Sequence, residues 1–300
     1  MKLAITGGTG FVGRHLINLA VARKHAVRAL ARSPQPPLAG VEWVDGAIDP
    51  ARNLDTLIEG TDAVIHVAGA INAADRAGFV ACNIDGTAAV IAAAQRAGVT
   101  RFVHVSTLAA REPSLSDYGW SKAEAERRVE ASGLDWTIIR PPAVYGPGDR
   151  EMLELFKMAA RGILLLPPAG RLSLIEVRDL ARLLLACARN PAKRAIYEVD
   201  DGTVRGLPHK ELARALGEAV GKRVLTLRMP SAALHAASLL DRSLRRGKAK
   251  LTRDRVRYFC HPDWVARRSM APPARLWKPK TPYAEGLRLT AEAYREAGWL

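Results

Sequence analysis

The chain has 300 residues, 48% hydrophobic and 25% charged, the balance of a folded globular protein, which excludes a disordered or fibrous chain. Its 45 Lys and Arg against 30 Asp and Glu give a formal charge of +15. Three widely spaced cysteines, Cys82, Cys187 and Cys260, are too few for a disulfide framework and show no CxxC spacing. Read as reduced packing residues, they point to a cytoplasmic protein.

In chain order, Lys2 runs into a glycine motif with no long apolar leader, so secretion is not expected. "KLAIT" (2–6) reads as a first strand. "TGGTGFVG" (6–13) follows it, with Gly7, Gly10 and Gly13 at GxxGxxG spacing before the helical "FVGRHLINLAVARK". Gly7 suits a tight turn, Gly10 the close approach of a pyrophosphate and Gly13 the packing of helix on strand. Gly8, Thr9, Phe11 and Val12 complete the loop, whose free N–H groups and helix dipole would hold the diphosphate.

Short apolar, β-branched runs then alternate with alanine-rich helical stretches: "AVRAL" (26–30), "VEWVD" (41–45), "AVIHV" (63–67), "RFVHVS" (101–106), "WTIIR" (136–140) and "IYEVD" (196–200). Seven such strands predict a doubly wound parallel sheet, an α/β fold of Rossmann type. The second strand ends in "AVRALARSP", with Arg28 and Arg32 where an NAD site usually has a carboxylate; Arg32 stands just beyond the strand end, suited to a 2'-phosphate. NADP(H) is therefore the expected cofactor, with NAD(H) open.

After residue 200 the rhythm becomes helical, with "HKELARALGEAVG", "SAALHAASLLDRSL" and, beyond a Pro-rich stretch, "EGLRLTAEAYREAG". We expect a smaller, mostly helical substrate lobe: residues 1–150 and 174–202 form the dinucleotide-binding domain, and 151–173 and 203–300 the lobe. No window approaches the roughly 20 apolar residues of a membrane span; "ILLLPP" (163–168) is too short. Residues 201–300 carry 21 Lys or Arg against nine Asp or Glu, densest at 241–257. Such a field favours anionic ligands or acidic surfaces, and a solvated basic face is the plainer reading. Nucleic-acid binding is not expected, because aromatic residues are not interleaved.

"TGGTGFVG", "DAVIHVAG" (62–69), "NIDGT" (83–87), "FVHVST" (102–107), "YGWSK" (118–122), "RPPAVYGPGD" (140–149) and "SLIEVRDLA" (173–181), in this order, resemble the extended short-chain dehydrogenase/reductase superfamily of the NAD(P)-dependent epimerase/dehydratase type. The resemblance spans nearly the whole chain and implies a nicotinamide enzyme with a Thr107, Tyr118, Lys122 triad, Ser106 being the lesser candidate for the hydroxyl. Tyr118 and Lys122, four apart, share one helix face. The ammonium and the nicotinamide would lower the phenol's pKa so that Tyr118 acts as acid or base, with Lys122 also on the nicotinamide ribose. By resemblance Asn83 supports the lysine, Ala68 and Gly69 line the cofactor, and Pro141, Pro142 and Val144 border the nicotinamide. His66 is read as a strand residue, with no metal site, and Tyr145 as packing.

Departures narrow the activity. Leu108 and Ala109 follow Thr107 where the family's dehydratases carry an acidic pair. The acidic strand end of many sugar epimerases is missing, and "DGAID" places Ala47 and Ile48 where the family often has Gly-Asp-Leu against adenine. The leading expectation is reduction of a carbonyl or oxidation of a secondary alcohol. The alternatives are a nucleotide-sugar epimerase using bound NAD, and a non-catalytic scaffold or sensor like accessory subunits of respiratory complex I. Helices after the sixth strand often form a dimer face in this family, which leaves a homodimer open.

Overall fold

The structure, a computed structural model, describes residues 1–190, 194–245 and 253–300. The chain divides into two compact units. The first comprises Met1–Arg140, Leu180–Glu198 and Ser269–Lys278, the second Pro141–Asp179, Val199–Arg268 and Pro279–Leu300.

The first unit is built on seven strands: β1 (Lys2–Thr6), β2 (Ala26–Ala31), β3 (Val41–Asp45), β4 (Ala63–His66), β5 (Arg101–Val105), β6 (Asp135–Arg140) and β7 (Ala195–Glu198). All neighbours pair in parallel, in the order β7-β6-β5-β4-β1-β2-β3. The expected doubly wound Rossmann sheet is therefore present. Leu3, Ala4, Ile5 and Thr6 are all buried, as a parallel strand covered on both faces requires. Helices α1 (Phe11–Ala22), α2 (Leu54–Ile58), α3 (Gly86–Arg96) and α4 (Asp117–Glu130) connect the strands. One core joins Leu54 and Leu57 of α2, Val90, Ile91 and Ala94 of α3 and Val129 of α4 to Val64, Phe102 and Ile138 of the sheet. The strand order reverses between β1 and β4, which opens a crevice beyond their carboxyl ends.

One expectation needs correcting. The continuous helical run Arg76–Arg96 has 21 residues and is long and apolar enough, by length and composition, to cross a bilayer. Half of its most apolar window is buried inside the structure, where α3 supplies the core just described. Before α3 this run opens into a π-helical turn, Val80–Asp85.

The second unit holds helices Leu153–Ala160, His209–Val220, Ser231–Arg245, Arg253–Cys260 and Tyr283–Glu296. It is less purely helical than expected. A three-stranded sheet joins Leu207–Pro208, Arg171–Leu172 and Asp263–Trp264, and Ile163–Leu166 pairs in parallel with Leu225–Arg228. Of the basic stretch 241–257, residues 246–252 lie outside the described residues. Tyr145 is fully buried in this unit's core with Phe156, Leu287 and Tyr294. The "IEVRDLA" motif stitches the unit together: buried Glu176 accepts from Arg178 N at 2.8 Å, and Asp179 accepts from Lys280 N at 2.6 Å and Thr281 N at 3.0 Å.

Candidate active site

The glycine turn lies where β1 and β4 end side by side. Gly7 has φ +70°, and a Cβ there would stand 2.7 Å from Ala68 N, just past β4; a Cβ on Gly13 would overlap the Gly7 carbonyl oxygen. Only glycine lets the chain turn this tightly against its neighbour. Gly8 is buried against Ile17 and Ala29, while Gly10 is exposed and caps α1 from an extended backbone without a side-chain hydrogen bond. The first turn of α1, from Phe11 and Val12 onward, contains no acidic residue. The N–H groups and the positive end of the helix are thus open to a diphosphate, and the residues present fit a dinucleotide.

Arg28 and Arg32 have parted company. Arg28 donates to Thr56 O (2.7 Å) and Glu59 O (2.8 Å) and pairs with Glu42 at 2.9 Å. Arg32 is exposed beyond β2 and makes no hydrogen bond or ion pair with another described residue. Ala47 and Ile48 form a two-residue strand against Ala51–Arg52, and Ile48 packs on Gly86 at the start of α3.

Past β4, Ala68 N donates to Thr6 Oγ1 (3.2 Å), which bonds His66 Nδ1 (2.7 Å); His66 Nε2 bonds Thr87 Oγ1 (3.0 Å), whose hydroxyl donates to Asn83 O (2.6 Å). Because Thr87 spends its proton on Asn83, His66 Nε2 carries the hydrogen and Nδ1 accepts from Thr6. Burial depresses the His66 pKa to about 3, so the ring is a neutral strut between strand ends.

Asn83 sits on the wide π-helical turn. Its Oδ1 accepts from Ala70 N (2.7 Å), while Nδ2 donates to Ala70 O (3.0 Å) and to Ser121 Oγ (2.9 Å). Those bonds clamp the segment around Ala70 onto α4. A Cβ at Gly69 would lie 3.1 Å from Asn83 Oδ1 and 3.7 Å from Lys122 Nζ, so Gly69, Asn83 and Lys122 converge.

Helix α4 starts at Ser116, whose hydroxyl accepts from Gly119 N at 3.0 Å, the pattern of a strong N-cap. It carries Tyr118, Lys122 and Glu126 on one stripe. Lys122, only 4% exposed, donates to Val105 O at 2.8 Å and lies 3.4 Å from His104 Nε2. Burial lowers its pKa to about 8, partly opposed by Glu126. The buried His104 is held neutral by the same desolvation and by the Lys122 charge. Its Nδ1 has no hydrogen-bond partner among the described residues.

Thr107 caps the short 3₁₀ turn Leu108–Arg111, accepting from Ala109 N at 3.2 Å, and shares a hydrogen bond with the Tyr118 phenol. Burial raises the phenol's pKa and the Thr107 bond pulls against it, with burial the larger effect. The lowering expected from the ammonium together with a bound nicotinamide concerns the cofactor-loaded site; in the protein alone burial acts the other way. Ser106 faces elsewhere: its hydroxyl donates to Glu126, which also takes a two-pronged grip from Arg140 (2.9 and 2.5 Å). Glu198 lies 3.7 Å from Arg140 and 3.4 Å from Arg111. Pro141, Pro142 and Val144 belong to the second unit, where Val144 pairs with Ile175.

Sequence reasoning missed His104, Ser121 and Glu126. Glu126 had a signal, being the next residue on the i, i+4 stripe of Tyr118 and Lys122; the contacts of His104 and Ser121 depend on pairings that no local pattern carries.

A parallel sheet with a glycine turn at its reversal point and an uncapped helix behind it defines a dinucleotide-binding α/β protein. A family model described as NAD(P)H-binding matches residues 7–191. Over 99% of this chain and 96% of its relative, the sequence is 39% identical to a ceramide reductase from Caulobacter vibrioides. It is 32% identical, over 96% of this chain and 98% of the relative, to a 2-alkyl-3-oxoalkanoate reductase from Stenotrophomonas maltophilia. The structure of MoeE5 in complex with UDP-glucose and NAD superposes with a TM-score of 0.77 over 99% of each chain at 21% identity, a likeness of fold. The chain belongs to the extended short-chain dehydrogenase/reductase family and is an NAD(P)H-binding enzyme of its oxidoreductase and epimerase group.

Proposed function

We propose that the enzyme is an NADP(H)-dependent ketoreductase that converts a ketone on an alkyl-chain lipid into a secondary alcohol. The observation that carries this reading is the grouping of the Tyr118 phenol, bonded to Thr107, with a buried lysine one helical turn away. A protonated phenol is what carbonyl reduction needs, since the oxygen must gain a proton as its carbon gains hydride.

Bound reduced nicotinamide would supply the hydride. Gly7, Gly8, Thr9 and Gly10, with the first turn of α1, hold the diphosphate; Arg32 takes the 2'-phosphate; Ala68, Gly69 and Asn83 line the ribose side. Thr107 turns its hydroxyl to the substrate carbonyl oxygen, and Tyr118 passes its proton to that oxygen as the alkoxide charge develops. Lys122 would bind the ribose of that cofactor and would place an ammonium beside the phenolate that results, and solvent would return the proton to Tyr118. Pro141, Pro142 and Val144 remain the proposed border of the nicotinamide end. The choice of NADP(H) is supported by Arg32, which no acidic residue engages among the described residues, and the lipid ketone by the reductases to which the chain is similar over at least 96% of its length.

Tyr118→Phe tests the assignment. Oxidation of NADPH with a 3-oxo alkyl substrate is expected to fall by at least about a hundredfold, while NADPH fluorescence titrations stay unchanged. Undiminished turnover would refute it. Interconversion of UDP-glucose without net redox change would instead favour epimerisation.

A further inference from the structure

In the second unit, Ile163–Leu166 and Leu225–Arg228 run parallel, with Ile163 opposite Leu225 and Leu165 opposite Leu227. Strand periodicity of two puts these four side chains on one face. That face is open: Ile163 is 45% exposed, Leu165 47%, Leu225 62% and Leu227 45%. The other face is conventional, with Leu164 and Leu166 buried in the core with Phe156, Leu212 and Leu216. The first strand is aliphatic on both faces, and since Leu164 and Leu166 already fill the core, folding alone does not account for Ile163 and Leu165 on the open side. Contiguous exposed aliphatics of this kind mark a contact surface.

Charge identifies the partner. Arg161, Lys222 and Arg223 precede the two strands, whose starts are tied together by Leu225 N donating to Gly162 O at 2.8 Å. Arg228, opposite Leu166, alternates onto the other face, where with Arg171, His209 and Lys210 it lines a hollow of about 340 Å³ that is not part of this surface. From Ala219 to Leu240 the sequence contains no Asp or Glu. Aliphatic side chains edged at the strand starts by Arg161, Lys222 and Arg223, which pair with no acidic group among the described residues, fit acyl chains beneath lipid phosphates. A second copy of the chain fits poorly, since a two-fold contact would bring this cationic rim near its own image.

We propose that this face, Ile163, Leu165, Leu225 and Leu227 with the cations around it, docks the enzyme on an anionic lipid bilayer. The surface is independent of the catalytic reading and stands or falls without it.

The test is cosedimentation of the whole protein with phosphatidylcholine vesicles, with and without a quarter phosphatidylglycerol. Wild type is expected to sediment with the anionic vesicles and to be released by high salt. The double variant Leu225→Ser/Leu227→Ser should lose about tenfold in partitioning, and Lys222→Glu/Arg223→Glu as much. Both are expected to keep the wild-type melting temperature and NADPH binding, because every altered side chain is exposed. Failure of wild type to sediment, or undiminished binding by the leucine pair, overturns the proposal. So does a solution dimer that the leucine pair dissociates, which would give the face to a second copy.

Discussion

Lys122 and Glu126 lie one turn apart on α4, both buried and both ionisable, yet their surroundings are opposite. Glu126 is saturated, taking Ser106 Oγ and both prongs of Arg140. Lys122 has one carbonyl, one distant imidazole nitrogen and a pKa pushed down to about 8. The difference shows how one helix can bury two ionisable groups: Glu126 is matched by its partners, while Lys122 has few and burial lowers its pKa, the pattern that marks a candidate for chemistry.

The largest expected effect falls on the saturated side. Glu126→Ala leaves the Arg140 guanidinium without its bidentate partner inside the protein and should reduce unfolding stability by roughly 3–5 kcal/mol in chemical denaturation. A small loss would mean that Glu198 alone can hold Arg140.

Lys122→Met should behave in the opposite way. Turnover is expected to drop about a hundredfold, with no fall in melting temperature, because a buried ammonium is replaced by an apolar chain of similar length. The pH dependence sharpens this. Between about 8 and the ordinary lysine value of 10.5, the unfolded chain holds a proton on this group that the folded protein has released. Wild-type stability therefore gains a rising contribution with pH across that window, and Lys122→Met lacks it. Identical pH profiles for the two would show that the lysine is not desolvated.

The smallest effect concerns Arg32. Arg32→Ala should weaken NADPH binding about tenfold and leave NADH within about twofold, read by isothermal titration. Arg28, pinned to Thr56, Glu59 and Glu42, cannot substitute without breaking three contacts. Equal weakening of both cofactors would retire the choice of NADP(H).

Much of the first unit was legible from sequence. All seven strands fall within a residue or two of their apolar, β-branched runs, because a parallel strand buried on both faces writes its burial directly into its composition. Tyr118 and Lys122 could be nominated from their i, i+4 spacing on one helix, whereas Gly69, Asn83 and Thr107 were legible only through the resemblance to the family. What could not be read was whatever depends on distant segments. Arg28 looked as free as Arg32 until α2 folded over it. The raised Tyr118 pKa reflects burial, which a motif does not encode. The pairing of Ile163–Leu166 with Leu225–Arg228 joins segments some sixty residues apart, so "ILLLPP" read only as a short apolar run.

The π-helical turn at Val80–Asp85 makes the cofactor side of the enzyme sensitive to chain length rather than to residue type. A helix advances about 100° per residue. Deleting one of the six residues would let the turn tighten into a regular helix and swing Asn83 round the axis, away from Ala70 and Ser121. The single extra residue in this turn thus sets the angular phase of everything upstream against α3, and a change in count there should be as damaging as replacing Asn83 itself.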